Sequence, residues 1–210
     1  MNVIQHYNID LILDIGANRG QFALTLRKEG YQGEIHSFEP VRDTFIHLQH
    51  TSETDKDWNC HQLAMSSSHG VAEINVSEVS ELSSFLDLNK FGKSRFYDGQ
   101  IKSETVQMET IDRYIIKNIK NYHERKILLK MDTQGHDLEV FNGSINSLES
   151  IKCILSEISM LPIYSKMPNY TESLDLFKKH GFSISGMYPV SRKEDFSIVE
   201  FDCCLVKPEQ

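Results

Sequence analysis

The stretch from Leu11 to Phe22, LILDIGANRGQF, constrains the fold of this chain more than any other. An apolar run with one acid in it, Leu11 to Ile15, meets a turn bracketed by Gly16 and Gly20 and passes directly into a helical pattern through Phe22, Leu24 and Leu26. A short, nearly continuous apolar run reads as a strand buried on both faces of a parallel sheet. Gly16 permits a tight bend, and Gly20 lets backbone approach a ligand or a packed helix with no Cβ in the way. The first amides of the helix then point into a pocket above the strand end, where a polar ligand belongs.

Two details bear on which ligand. A dinucleotide-binding turn carries G-x-G-x-x-G, and its second glycine lets a pyrophosphate sit against the backbone. Here Asn18 stands at that position. Asp14, two residues before Gly16, is read as reaching an ammonium or hydroxyl of a ligand laid across the strand end. The pattern favours a cationic, amino-acid-like cofactor. Gly33 to Glu39 then alternates as a second strand. Glu39 follows the turn at close to the ~20-residue separation that puts a carboxylate on a ribose. Pro40 fits the first turn of a following helix, so Glu39 also suits the charge at that helix N-terminus.

The first motif, the pair Glu39-Pro40, and the later run Lys130-Met131-Asp132-Thr133-Gln134-Gly135-His136-Asp137 together resemble the FkbM-type S-adenosylmethionine-dependent methyltransferases. The resemblance runs from about residue 10 to about residue 206. It implies an α/β, Rossmann-like class I methyltransferase fold: a mostly parallel seven-stranded sheet with helices on both faces and an antiparallel C-terminal strand. It implies S-adenosylmethionine as cofactor and S-adenosylhomocysteine as product. Asp14, Gly16, Ala17, Asn18, Gly20, Phe22, Glu39, Pro40 and Asp132 would surround the cofactor, with Leu63 and Ala64 beside the adenine and Ser84, of the pair Ser83-Ser84, approaching it. It further implies O-methylation, because relatives act on hydroxyls of glycans and secondary metabolites.

The acceptor chemistry centres on a different stretch. Lys126 to Met131 reads as the fourth strand and ends at Asp132, at the edge where open α/β sheets keep their ligands. Methyl transfer to oxygen needs a group that begins to take the hydroxyl proton. Asp132 and His136 are the candidates, and the acid could equally orient the histidine or hold a divalent ion; no metal site is predicted. Glu157, ending the fifth strand from Ile151, adds a third candidate catalytic group. Lys130 either pairs with an acid inside the site or snorkels. The family usually has Glu-Gly-Ala-Glu after the acid, whereas this chain has Gln134-Gly135-His136-Asp137.

Trp58 to Ala64 reads as the third strand, Val71 to Val76 as a further one, Val106 to Met108 as a short one, and Thr110 to Lys117 as a helix. Residues 77–105, with Ser83, Asn89, Gly92, Arg95, Tyr97 and Gly99, form the least patterned segment and are read as an acceptor-facing loop. Residues 159–170, with Pro162, Tyr164, Pro168 and Asn169, supply a second such loop. Phe182 to Tyr188 and Ser197 to Val206 read as a closing hairpin joined through residues 189–195, a feature that dehydrogenases of this architecture lack.

The 210 residues suit one domain spanning 1–210. Lysine and arginine number 22 against 30 acids, and the net charge of −8 disfavours nucleic acid and anionic membrane as partners. Cys60, Cys153, Cys203 and Cys204 lack C-x-x-C spacing and read as core thiols rather than zinc ligands. No basic, apolar leader opens the chain and no apolar run nears the ~18 residues that span a bilayer, so a cytoplasmic setting is expected. The partner is then a small-molecule or glycan acceptor, with the oligomeric state left open. A nicotinamide-dependent oxidoreductase and a non-catalytic cofactor-binding interaction module remain the competing classes. The absence of an Asn-Pro-Pro-Tyr-like turn after the fourth strand speaks against base N-methylation.

Overall fold

All five residues of β1 (Leu11–Ile15) are buried, and they form the centre of the sheet. The computed structural model describes residues 2–95 and 101–208. In chain order it contains α1 (Asn2–His6), β1, α2 (Gln21–Lys28), β2 (Glu34–Phe38), α3 (Arg42–Ser52), β3 (Trp58–His61), β4 (Ala64–Met65) and β5 (Gly70–Ser77). There follow α4 (Lys90–Arg95), β6 (Ile101–Glu109), α5 (Ile111–Asn118), β7 (Ile127–Met131), α6 (Asp137–Asn142), β8 (Ile151–Ser159), α7 (Tyr170–Lys179), β9 (Ser183–Arg192) and β10 (Ile198–Val206).

The main sheet has seven strands in the order β3-β2-β1-β7-β8-β10-β9. Strands β1, β2, β3, β7 and β8 pair in parallel, while β10 runs antiparallel to both β8 and β9. Period-2 alternation sends Leu11, Leu13 and Ile15 to one face, against Tyr114 and Ile115 of α5, Phe141 of α6 and Phe177 of α7. Ile12 goes to the other face, with Ile4 of α1, Ala23 and Leu26 of α2 and Leu48 of α3. Helices therefore cover both faces, as the resemblance implies. Among the described residues no helix is long and apolar enough to cross a membrane.

Three local expectations are corrected. The third strand does not continue to Ala64: β3 ends at His61, and Ala64–Met65 leaves the main sheet to pair in parallel with Met108 and Glu109 of β6. Strands β4, β6 and β5 form a separate three-stranded sheet, packed through Ala64, Ile74 and Val106 on Val41 and Phe85. The described parts of the segment, 77–95 and 101–105, hold more regular structure than expected: a 3₁₀ turn at Ser80–Leu82, helix α4 and the first half of a nine-residue β6. The closing hairpin turns later than expected, since β9 runs through Pro189 to Arg192. Proline is tolerated there because β9 is the edge strand, whose outer side needs no amide.

Candidate functional site

A cavity of about 460 Å³ opens above the C-terminal ends of β1, β2 and β7. The turn after β1 is shaped by a close approach: Gly16 has φ +71, and a Cβ there would lie 2.0 Å from the carbonyl oxygen of Asp132. Only glycine fits, so β1 and the loop after β7 can meet behind the ligand space. The amides of Gly16 and Ala17 both donate to the Phe38 carbonyl, at 3.1 and 3.0 Å, which locks the turn to the end of β2. Asn18 adopts φ +48 and donates its backbone N–H to Glu39 Oε2 at 3.0 Å. Its side-chain amide meets Ser80 Oγ at 3.2 Å, linking the turn to the segment beyond β5.

Glu39 is buried, and its other oxygen accepts the Val41 amide at 3.0 Å. Burial pushes its carboxyl up to about 7, against the lowering effect of these two amides. Each carboxylate oxygen has two acceptor positions, so one on each remains for a ligand hydroxyl. Pro40 does not enter the first turn as expected, because α3 starts at Arg42 with Val41 as its N-cap and no side-chain cap, so Glu39 holds the Asn18 and Val41 amides rather than capping the helix. Phe38, Val41, Leu63, Ala64, Met65, Ile74 and Phe85 give the cavity an apolar end next to Glu39.

The opposite end carries charge. Lys130 Nζ is buried between the carboxylates of Asp14 at 3.1 Å and Asp132 at 3.6 Å, and donates to the Gly16 carbonyl at 2.8 Å. Burial alone would lower this ammonium, but the two carboxylates outweigh it and hold it well above the ordinary lysine value. Asp132 has a side chain 43% exposed, at the cavity wall. Gln134, at φ +52, donates from Nε2 to Asp132 Oδ1 at 3.3 Å and to Glu157 Oε2 at 3.0 Å. Glu157 is pushed up to about 9 by burial and by the surrounding acids Asp132, Glu200, Asp137 and Asp202. Asp202, directly across the β8–β10 ladder from Glu157, is pushed up to about 6 by burial and by Asp132.

Ala17, Phe22 and Pro40, besides Gly16, Asn18, Glu39, Leu63, Ala64, Asp132 and Glu157, are all on the cavity wall. Four expected site residues are not. Asp14 is fully buried behind the wall, where it neutralises Lys130 and accepts Ser37 Oγ at 2.9 Å. Gly20 faces the ring of Trp58, 2.8 Å from where its Cβ would be, so its role is packing. Ser84 is buried and bonds the Gln134 carbonyl at 2.7 Å, leaving Ser83 as the member of the pair that lines the cavity. His136 caps α6 with its ring on Ser66 Oγ at 3.0 Å and beside Phe85, and burial lowers it, so the imidazole is neutral near pH 7.

Of the loop residues, Asn169 caps α7 through the amides of Thr171 and Glu172, and Tyr97 and Gly99 lie outside the described residues. The two expected loops are joined to each other. Asn89 N–H donates to the Ile163 carbonyl at 2.9 Å, Ser165 N–H to the Asp87 carbonyl at 2.8 Å, and Leu88 packs with Ile163 and Tyr164. Sequence reasoning missed Gln134 as a wall residue, and Asp202 entirely. The available signal for Asp202 was the alternation Glu200, Asp202 and Cys204 against Val199, Phe201 and Cys203, which puts acids on one face of the last strand. Among the described residues no group of three or more His, Cys, Asp or Glu side chains is arranged to hold a metal ion.

An open α/β sheet with a cavity at this edge, a carboxylate at the end of β2 and an antiparallel final strand defines the Rossmann-like methyltransferase class. The family model for the methyltransferase FkbM domain matches residues 14–184, so the chain belongs to that family. Curated proteins give no match. Among solved structures, the chain is similar to magnesium protoporphyrin IX methyltransferase from Synechocystis PCC 6803, solved with S-adenosylmethionine. That likeness has 9% identity and a TM-score of 0.51, over 98% of this chain and 74% of the other. It is also similar to the 1,6-didemethyltoxoflavin-N1-methyltransferase of Burkholderia thailandensis, solved with its substrate and S-adenosylhomocysteine, at 9% identity and TM-score 0.52 over 99% and 76%. The methyltransferase domain of bacterial CtHen1 matches at 8% identity and TM-score 0.53 over 99% and 94%. At these identities the likeness is one of fold. Family membership decides for a methyltransferase over a nicotinamide-dependent oxidoreductase.

Proposed function

We propose that the cavity binds S-adenosylmethionine and that the protein transfers its methyl group to a hydroxyl oxygen of a small polyhydroxyl acceptor, a sugar or a secondary metabolite. The donor set fits this cofactor from end to end. The apolar end suits a purine, the remaining acceptor positions of Glu39 suit a ribose diol, and the polar turn Gly16 to Asn18 with Asp132 and Thr133 suits an amino-acid tail. The cavity volume lies within the ~300–1,000 Å³ usual for small-molecule sites. Gly16 also leaves no side chain between the turn and the β7 loop, so the two backbones close together behind the cavity.

When bound, the sulfonium supplies an electrophilic methyl group and leaves as a neutral thioether. The residues of this chain must then bring the acceptor oxygen in line and take its proton. Asp132 carries this reading, because its carboxylate is half-exposed on the wall at the end of β7 while its neighbours hold it in place. As the oxygen–methyl bond forms, the hydroxyl proton passes to Asp132, an assistance worth typically 10²–10⁴-fold. Glu157, raised to about 9, keeps its proton near neutrality and presents a hydrogen-bond donor to an acceptor oxygen. The polar groups of Ser83, Glu157 and Asp202 suit an acceptor with several hydroxyls.

The test is transfer of label from methyl-labelled S-adenosylmethionine to a panel of sugars, polyketide alcohols, small phenols and amines. Label should enter a hydroxyl-bearing acceptor, and Asp132→Ala should lower the rate at saturating cofactor by roughly 100-fold or more. Label entering amines alone would overturn the oxygen assignment. Unchanged turnover in Asp132→Ala would remove Asp132 as the base, and full cofactor binding without transfer to any acceptor would favour the non-catalytic module. Loss of turnover on chelation, restored by magnesium, would place a divalent ion beside the carboxylate.

A further inference from the structure

Gln134 makes three directed contacts from the cavity wall, and together they use both donors and the acceptor of its amide. Nε2 donates to Asp132 Oδ1 at 3.3 Å and to Glu157 Oε2 at 3.0 Å, using both of its hydrogens. Oε1 accepts from the hydroxyl of Tyr164 at 3.0 Å. The backbone is in the left-handed region at φ +52, which is uncommon outside glycine, and the carbonyl of the same residue is held by buried Ser84 at 2.7 Å. Strained backbone kept in place by its surroundings concentrates at functional sites.

Tyr164 is buried and its hydroxyl also lies 3.1 Å from the Leu82 carbonyl. It belongs to the 160–169 segment that is bonded to Asp87 and Asn89. Gln134 therefore stands where the carboxylates of the wall meet the two joined segments. We propose that Gln134 is the positioning residue for methyl transfer: its amide ties Asp132 to Glu157 and, through Tyr164, to the segments covering the acceptor, so that base and cover are set as one unit. The inference rests on Asp132 being the base. A carboxylate cannot donate to two other carboxylates and a leucine can neither donate nor accept, so the arrangement requires an amide at this position.

Titration of the Glu157 carboxyl by carbon-13 NMR, assigned with Glu157→Gln, tests this without a known acceptor. The titratable groups acting on Glu157 are Asp132 just after β7, Asp137 from α6, and Glu200 and Asp202 from β10, and Lys130 from β7 acts on Asp202 beside it. These stay in place when Gln134 is changed. Gln134→Leu removes a donor to the ionised form, and the Glu157 midpoint should rise by about one unit. Tyr164→Phe should move it the same way by less, and the double variant should fall short of the sum. S-adenosylmethionine affinity by calorimetry should stay within about threefold of the wild type. Transfer to a hydroxyl acceptor from the panel should fall at least tenfold.

A Glu157 titration unchanged in Gln134→Leu, or strictly additive single and double variants, would overturn the proposal. So would a loss of cofactor affinity as large as that of Glu39→Gln, because Gln134 would then serve the cofactor. If instead the coupled titration is found while Asp132→Ala keeps full activity, it is the assignment of the base that falls, together with the role in transfer built on it.

Discussion

At the Gly16 end of the cavity the wall is made by backbone, whereas at the Asp132 end it is made by side chains that hold one another. Gly16, Ala17, Asn18 and Val41 fix the first end through amides bonded to Phe38 and Glu39. Asp132, Gln134, Glu157 and Asp202 form the second, with two carboxyls raised by burial and mutual repulsion. A backbone wall tolerates almost no change at its glycine but keeps its form across acceptor chemistries. A side-chain wall can be recomposed one residue at a time, and its protonation varies with pH. In the proposed reading, the cofactor belongs to the first construction and the acceptor to the second.

The contrast can be broken at four points. Gly16→Ala should be the most damaging: left-handed strain of ~1–2 kcal/mol joins an overlap with the Asp132 carbonyl worth a further ~1–3 kcal/mol. At ~2–4 °C per kcal/mol, the melting temperature should fall by about 4–20 °C. Gly30→Ala is the control, since Gly30 has φ +93 with nothing within 4 Å and should lose only the ~1–2 kcal/mol of strain. Equal losses at the two glycines would show that the close approach is not what demands Gly16.

Glu39→Gln comes next. Loss of charge-assisted hydrogen bonds costs roughly 1.5–3 kcal/mol, or about 10- to 150-fold in S-adenosylmethionine affinity by calorimetry. Unchanged affinity would restrict Glu39 to holding the Asn18 and Val41 amides.

The acidic end should reveal itself in the pH dependence of stability. The Glu157 carboxyl lies above its ordinary value of 4.5, at about 9, so between these values the folded state binds more protons than the unfolded state. Its contribution to stability therefore falls as pH rises through that window. Thermal melts should show Glu157→Gln gaining on the wild type as pH rises through this range. A constant difference would mean that Glu157 titrates normally. Glu39, raised to about 7, should act in the same sense over the lower part of the range.

The smallest effect is expected at His136. Its ring bonds Ser66 off the cavity wall, so His136→Ala should cost about 1 kcal/mol of stability and change turnover by less than about threefold. A hundredfold drop in turnover would return the imidazole to the reaction.

The same contrast explains what the sequence could reveal. Strand β1, the glycine turn, Glu39 and Asp132 were legible because local patterns set them: an apolar run, a turn residue, a strand end. Asp14 was misplaced because its partner, Lys130, is brought beside it only by the β1–β7 register, and no local pattern reports a cross-strand ion pair. Ser83 and Ser84 exchanged places because successive residues of an extended segment point opposite ways and the segment's phase was not known. Strand β4 has only two residues, and its pairing with Met108 and Glu109 spans too much chain to show as periodicity. His136 is near Asp132 in sequence, but the turn through Gln134 and Gly135, both at positive φ, carries its ring toward Ser66.

The bonds between Asp87 to Asn89 and Ile163 to Ser165 run in both directions, amide to carbonyl from each side. Two segments laced in this way open together or not at all. Under the proposed function, passage of an acceptor between them would be a single event with one rate, and slowing it at either segment would delay entry and product release alike. Turnover in this enzyme could thus be governed far from the methyl group, by how often a few backbone hydrogen bonds part.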